Sequence, residues 1–236
     1  MPALSLVIPC YNEAANLPLL VGRCAEVFAG TECEVILVDN GSSDNTPQVM
    51  AELIAPHPFI KMVRVDVNRG YGFGILEGLR SATGTVIGWT HADMQTDPAD
   101  ALKGLEFFNT HPHPEQLFVK GKRYGRPWAD EVFSVGMAIF EFFLLFTPLW
   151  DINAQPTLFP RTFFDQWQDP PEDFSLDLYA YYLARKKGLD VARFPVLFGE
   201  RAHGSSHWNL NWQAKVKFIK RTLVFSFQLR RRLKGV

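Results

Sequence analysis

Three stretches of this 236-residue chain hold residues whose types and spacing suit ligand chemistry. Asp39 closes an apolar, β-rich run, EVILVD, and is followed by NGSSDNT, whose residues tolerate unusual backbone angles and cap helices. A carboxylate at such a strand end points into a ligand crevice, whereas Asp44 reads as the cap of the next helix. Asp93, with Gln95 and Asp97, follows a second apolar run, TVIGWT. Hard oxygen ligands there suit Mg²⁺ or Mn²⁺, and a divalent ion in turn suits a diphosphate; a loop of solvated acids is the plainer alternative. The third stretch, NRGYGFGILEGL, sets Gly70, Gly72 and Gly74 at the start of a helix. It follows the third strand-like run and lacks a Walker-type Lys-Ser/Thr, which disfavours a dinucleotide loop. Its glycines suit a backbone that must approach a ligand or a neighbouring acidic loop.

The elements that must position these residues read as a β-α-β-α-β-α-β alternation. Leu4–Pro9, Glu34–Asp39, Ile60–Val67 and Thr85–Thr90 are strand-like, with helix-like segments at Asn16–Phe28, after Ser42/Asp44 and at Tyr71–Ala82. That order predicts an α/β fold with a mostly parallel sheet, helices on both faces, and ligands at the carboxyl ends of the strands. A helix from about Ala99 and a short strand Leu117–Lys120 leading into GKRYGR complete the regular part.

Composition narrows the class. With 47% hydrophobic, 14% aromatic and 21% charged residues the chain is neither disordered nor a coiled coil, and its length fits one large domain. Cys10, Cys24 and Cys33 lack metal or C-x-x-C spacing and read as reduced thiols. The amino terminus has no basic region followed by an apolar core and reads as a first strand. Val132–Leu149 is the most apolar stretch; Glu141 and Pro148 argue against a membrane crossing, leaving a buried core helix or a helix at a membrane interface. Nine of the 24 Lys and Arg and none of the 25 Asp and Glu fall in residues 201–236, so the first 200 residues carry −10. In this tail Trp212, Val216, Ile219, Leu223 and Phe227 recur at helical spacing opposite Lys217 and Arg221. A basic amphipathic helix follows, either docked on its own domain or lying on anionic lipid; no nucleic-acid-binding motif accompanies the charge.

In their order and spacing, LSLVIPCYNEAANL, ILVDNGSSDNT, NRGYGFGILEGLRSATG and HADMQTDP resemble the family 2 glycosyltransferases of the GT-A, Rossmann-like fold, over about residues 4–125. VKGKRYGR, DINAQPTLF and RAHGSSHW are similar to the polyprenyl-phosphate branch that includes dolichol-phosphate mannose synthases. The resemblance implies a catalytic domain over 1–207, including the apolar segment 132–149, and a basic amphipathic helix over 208–236. It implies that Pro9, Tyr11, Glu13, Asp39 and Gly70 hold a nucleotide-diphosphate sugar, GDP- or UDP-linked, and that Asp93 with Gln95 holds Mg²⁺ or Mn²⁺ on its diphosphate. Arg123, Arg201, Ser206 and His207 would surround the donor diphosphate or the acceptor phosphate, with Asp93, Arg123 and Arg201 as the catalytic set. His91 departs from the family's usual acid and would bond a phosphate or ribose; DINAQP replaces a Ser-Gly pair, and His207 a common Lys.

The expected activity is inverting transfer of the sugar to a polyprenyl phosphate by a cytoplasmic protein peripheral to the cytoplasmic face of a membrane. A lipid phosphate is already largely dianionic at neutral pH, so no strong base is required. A sugar-hydroxyl acceptor would require one, with Asp173 or Asp177 as candidates, although acids near a helix start are commonly just solvated. A sugar-nucleotide binding module without turnover is the third reading, and a homodimer is a further expectation.

Overall fold

The structure, a computed structural model, describes residues 1–202 and 223–231. β1 (Leu4–Cys10), α1 (Leu17–Phe28), β2 (Cys33–Asn40), α2 (Thr46–Ile54), β3 (Ile60–Val65), α3 (Tyr71–Ser81) and β4 (Val86–Trp89) follow the expected alternation. α4 (Asp100–Thr110) leads to β5 (Leu117–Tyr124), longer than expected because it runs on through GKRY. α5 (Trp128–Leu145), β6 (Thr157–Pro160), α6 (Arg161–Phe164), α7 (Leu176–Lys186) and β7 (Asp190–Leu197) follow, and residues 223–231 are helical.

The seven strands form one sheet in the order β3-β2-β1-β4-β6-β5-β7. β6 runs antiparallel to both its neighbours, while β5 and β7 pair in parallel, so every strand but β6 points the same way. The reversal of β6 has a direct use: the loop that enters it, residues 151–156, reaches the edge where the other strands end.

Alternate residues build the two cores, as a strand's period of two requires. Val7, Ile36, Val38 and Trp89 face α3, α6 and α7. Leu6, Ile8, Val35 and Leu37 face α1, α2 and α4. The glycines of α3 permit its close seat, since a Cβ on Gly78 would press on Val38 and one on Gly74 on the Asn40 side chain at 2.8 Å. Cys10, Cys24 and Cys33 are unpaired and buried, and burial raises the pKa of each thiol.

α5 begins four residues earlier than the apolar run and ends four earlier, where Phe146 takes the left-handed conformation. It is half a core helix. Ala138, Glu141, Leu144 and Leu145 are buried, while Val132, Ile139, Phe142, Phe143 and Phe146 are exposed. The helical residues 223–231 lie against it, with Ser226 donating to Glu141 at 2.6 Å. Ser226 and Leu229 are buried, while Phe227 of the expected stripe is exposed. Trp212, Val216, Lys217, Ile219 and Arg221 lie outside the described residues. No helix among the described residues is long and apolar enough to cross a membrane.

Candidate active site

The carboxyl ends of β1, β2, β4, β5 and β7 and the loop entering β6 bring the expected residues to one edge of the sheet. At the β1–β2 end two turns are laced together. Asn12, at φ 55°, accepts from the Ser43 and Asp44 amides, and Glu13 N donates to Thr46 Oγ1 at 2.9 Å. Asp44 accepts from Thr46 N at 3.0 Å, the local turn role expected of it. Burial pushes the Glu13 carboxyl up, opposed by its bond from Asn16. Tyr11 stands exposed beside half-buried Pro9. Asp39 is paired in register with Cys10 and Arg64. Its Oδ1 accepts from Ser42 N, and its Oδ2 is buried with no hydrogen bond, 3.7 Å from Arg64 Nε. A buried carboxylate oxygen left open at a strand end is equipped to accept an N–H from a base.

β4 delivers His91 and Asp93. Asp93 Oδ1 accepts from Gln95 N at 3.2 Å, and Oδ2 accepts from Arg201 Nη2 at 2.7 Å. Residues 198–202, leaving β7, are strapped to this loop by Gly199 N to Gln95 O at 2.8 Å and by Gln95 Nε2 to Gly199 O. Asp97 is a correction. Its two oxygens are taken by Arg23 of α1, at 3.0 and 2.8 Å, in a partly exposed ion pair that ties this loop to α1. Burial lowers the His91 pKa, with Asp93 and Asp177 opposing and Arg123 and Lys120 reinforcing the shift.

Gly70, at φ 131°, and Gly72 open α3 against the acidic loop: a Cβ on Gly70 would meet Glu172 O at 2.5 Å, and one on Gly72 would meet Asp173 O at 2.6 Å. Arg69 clamps Glu172 with two bonds of 2.9 Å, and Tyr71 stacks on Phe174 at 4.7 Å, its other side 6.0 Å from His91. The glycines thus meet an acidic loop, as their spacing suggested, but one that lies 103 residues away in sequence, from Arg69 to Glu172.

Arg123 is bonded to Asp151 through its backbone N–H and its guanidinium, and Arg126 and Arg193 each approach the same carboxylate at 3.8 Å. Against its burial, Arg123 and, less strongly, Arg126 hold Asp151 below the usual carboxylate range. Three arginines on one carboxylate leave a net positive patch. Arg126 Nη1 also donates to Ser134 of α5, tying the patch to the apolar helix. Ser206 and His207 lie outside the described residues.

Asp177 is a second correction. It is no solvated acid: it is buried, accepts from Gln155 Nε2 at 2.6 Å and pairs with buried Lys120 at 3.6 Å. Burial lowers the Lys120 pKa to about 8, with Asp177 opposing. Asp173 is half-buried and accepts from Ser175 N at 2.8 Å.

Among the described residues no three His, Cys, Asp or Glu side chains converge as a metal cage. Asp93, whose Oδ2 already faces a cation, and the Gln95 amide offer oxygen donors of the kind that bind a hard cation carrying most of its shell as phosphate and water.

Similarity to known proteins fits this geometry. Over 109 residues the chain is 37% identical to an undecaprenyl-phosphate 4-deoxy-4-formamido-L-arabinose transferase of Pectobacterium carotovorum, covering 44% of this chain and 32% of the relative. It is 33% identical over 102 residues to a dolichol-phosphate mannosyltransferase of Pyrococcus furiosus, covering 43% and 29%. The matches thus span about a third of these relatives' length. A mannosyltransferase from Pyrobaculum calidifontis, solved with GDP-Man and Mn²⁺, superposes with a TM-score of 0.70 at 20% identity, covering 98% of this chain and 64% of that one. Glucosyl-3-phosphoglycerate synthase from Mycobacterium tuberculosis, with Mn²⁺, UDP and phosphoglyceric acid, gives 0.72 at 18%, covering 97% and 78%. These likenesses place the fold among the GT-A glycosyltransferases. The family model described as glycosyl transferase family 2 matches residues 5–167, and the chain belongs to that family.

Proposed function

We propose that the protein transfers a sugar from a nucleotide-diphosphate sugar to a polyprenyl phosphate while resting on a membrane surface. One observation carries the reading: the edge that presents Asp93, His91 and Arg201 continues through the Arg123–Arg126–Arg193 patch onto an exposed apolar face of α5. Phosphate chemistry and a lipid-compatible surface are contiguous. The names of the sequence relatives, which pair such domains with undecaprenyl and dolichol phosphate, support it.

In this reading Pro9, Tyr11, Glu13, Asp39 and Gly70 form the nucleoside end, where Asp39 Oδ2 accepts from the base. Asp93 and Gln95 hold Mg²⁺ or Mn²⁺, which when bound neutralises the diphosphate leaving group. Arg201, released from Asp93, turns to the same diphosphate, and His91, kept neutral by its burial, donates to a phosphate or ribose oxygen. Arg123 holds the acceptor phosphate. That phosphate is the nucleophile and needs no base, so positioning and fixed charge supply the catalysis, with inversion as the outcome of in-line attack.

α5 and residues 223–231 supply the membrane face. Phe143, Phe146 and Phe227 are exposed there, and Arg230 lies 5.3 Å over the Phe146 ring, a pairing of aromatic and cation suited to an anionic headgroup layer. The unpaired thiols fit a reducing compartment and hence a cytoplasmic face.

The test is radiolabel transfer from a panel of GDP- and UDP-sugars into organic-extractable polyprenyl phosphate with Mn²⁺ or Mg²⁺, for wild type and Asp93→Ala. Label in the lipid phase that the variant loses establishes the reading. Metal-dependent donor hydrolysis without lipid label would move the acceptor to a sugar hydroxyl, with Asp173 as the base since Asp177 is committed to Lys120 and Gln155. Nucleotide binding without turnover would leave a binding module.

A further inference from the structure

The charges around Asp151 and the apolar side chains beside them reverse the ordinary order of a protein surface. Arg123, Arg126, Arg193 and Asp151 have side chains 16% exposed or less, whereas Tyr124, Trp128, Trp150 and Leu197 are each 51% exposed or more. One exposed apolar residue means little, but four of them around a sunken set of charges mark a surface that meets something apolar.

The chain ties these residues to one place. Tyr124 and Leu197, the last residues of β5 and β7, are a register pair and stand on one face of the sheet. Phe198 donates its N–H to Tyr124 O at 3.0 Å, and its ring centre lies 5.2 Å from the Arg123 guanidinium. The turn at Gly125, φ 84°, brings the chain against Leu197, where a Cβ on the glycine would stand 3.0 Å from Leu197 Cδ1. Trp150 precedes Asp151, and its carbonyl accepts from Arg193 Nη1; Trp128 opens α5 two residues after Arg126.

Three guanidiniums on one carboxylate leave two positive charges in excess among the described side chains of this cluster, and charges held this far from water are ordinarily matched by opposite ones. A phosphate monoester, with a second pKa of about 6, carries close to two negative charges at neutral pH and pairs well with guanidinium. That head suits the cluster, and only an apolar substituent on the phosphate suits the ring. A phosphorylated sugar or glycerate would set hydroxyls or a second carboxylate against Leu197 and the two tryptophans.

We propose that Tyr124, Leu197, Trp128 and Trp150 form a collar for the hydrocarbon tail of the acceptor, at the isoprene units next to its phosphate. The inference rests on the polyprenyl-phosphate reading above and separates two apolar surfaces: α5 meets the bilayer, whereas the collar holds the individual acceptor molecule. A prenyl phosphate dissolved in water is therefore bound with no membrane present.

The test is calorimetric binding of methyl, dimethylallyl and citronellyl phosphate to the full chain, without lipid or detergent. Wild-type affinity rises by about tenfold or more along the series, since each buried CH₂ is worth about fourfold. Tyr124→Ser combined with Leu197→Ser loses about tenfold on citronellyl phosphate and progressively less toward methyl phosphate, while Arg123→Gln weakens all three by a similar factor. A series that is flat in the wild type, a double variant that keeps the wild-type slope, or 3-phosphoglycerate bound more tightly than citronellyl phosphate would overturn the inference. Radiolabel transfer into polyprenyl phosphate then shows how far the failure reaches: a wild type that still transfers keeps the acceptor reading without the collar, and one that transfers to no prenyl phosphate removes both.

Discussion

Glu141 offers a quantitative test of how the carboxy-terminal helix is held. It has no exposed surface, one oxygen accepts from Ser226, and the other has no partner among the described residues. Burial raises its pKa from 4.5 to about 7, with the Ser226 bond opposing. The folded state therefore keeps a proton that the unfolded chain releases. Stability from this group is complete below about pH 4.5, is lost as pH rises to about 7, and levels off beyond. A separation of about 2.5 pH units at ~1.36 kcal/mol each makes the loss about 3 kcal/mol. Glu141→Gln carries no such proton. Denaturant unfolding of both proteins at a series of pH values from about 4 to about 8 should show the variant gaining on the wild type by about 3 kcal/mol across the range. A difference between the two that stays constant with pH would refute the reasoning, whatever its size.

Three further outcomes are expected. Asp93→Ala should lower transfer by at least about a hundredfold, far more than it lowers the melting temperature, checked by steady-state kinetics and calorimetry, if Asp93 faces the diphosphate as proposed. Lys120→Met should destabilise by about 3–5 kcal/mol by stranding Asp177, whereas Lys120→Met combined with Asp177→Leu should recover most of that loss in the same unfolding assay. Phe143→Ser with Phe146→Ser should reduce flotation with anionic vesicles while donor hydrolysis persists, and the residual binding should weaken with added salt.

The first half of the candidate site was legible because each of β1, β2 and β4 ends in candidate residues, and a strand end fixes where they point. The second half was not, for reasons visible in individual residues. β7 contains Pro195, which argues against a strand, yet β7 is the last strand of the sheet, where a missing N–H is tolerated. β6 is four residues long and enters antiparallel, so the alternation gave no cue to it. Asp177 read as an exposed acid at a helix start because nothing local reveals that α7 is buried from Leu176 to Ala184. Asp97 looked like a third ligand because its partner, Arg23, lies 74 residues away. Lys120 sits in a run ending GKR, where a surface lysine is the ordinary expectation. In the tail, Ser226 and Leu229 are buried and Phe227 is exposed, a division that helical spacing alone does not assign to a protein or a lipid neighbour.

The place of β6 also governs how the chain can be made. It lies between β4 and β5 in the sheet but follows β5 in the sequence. As the polypeptide emerges from the ribosome, β1 to β4 can pair in the order they arrive, but β5 then has no strand to join. Until residues 157–160 appear, β4 ends a half-built sheet with an open, apolar edge, Val86 to Trp89, capable of pairing with a stranger. Four residues, synthesised two thirds of the way along, close that window and join both halves of the enzyme at once.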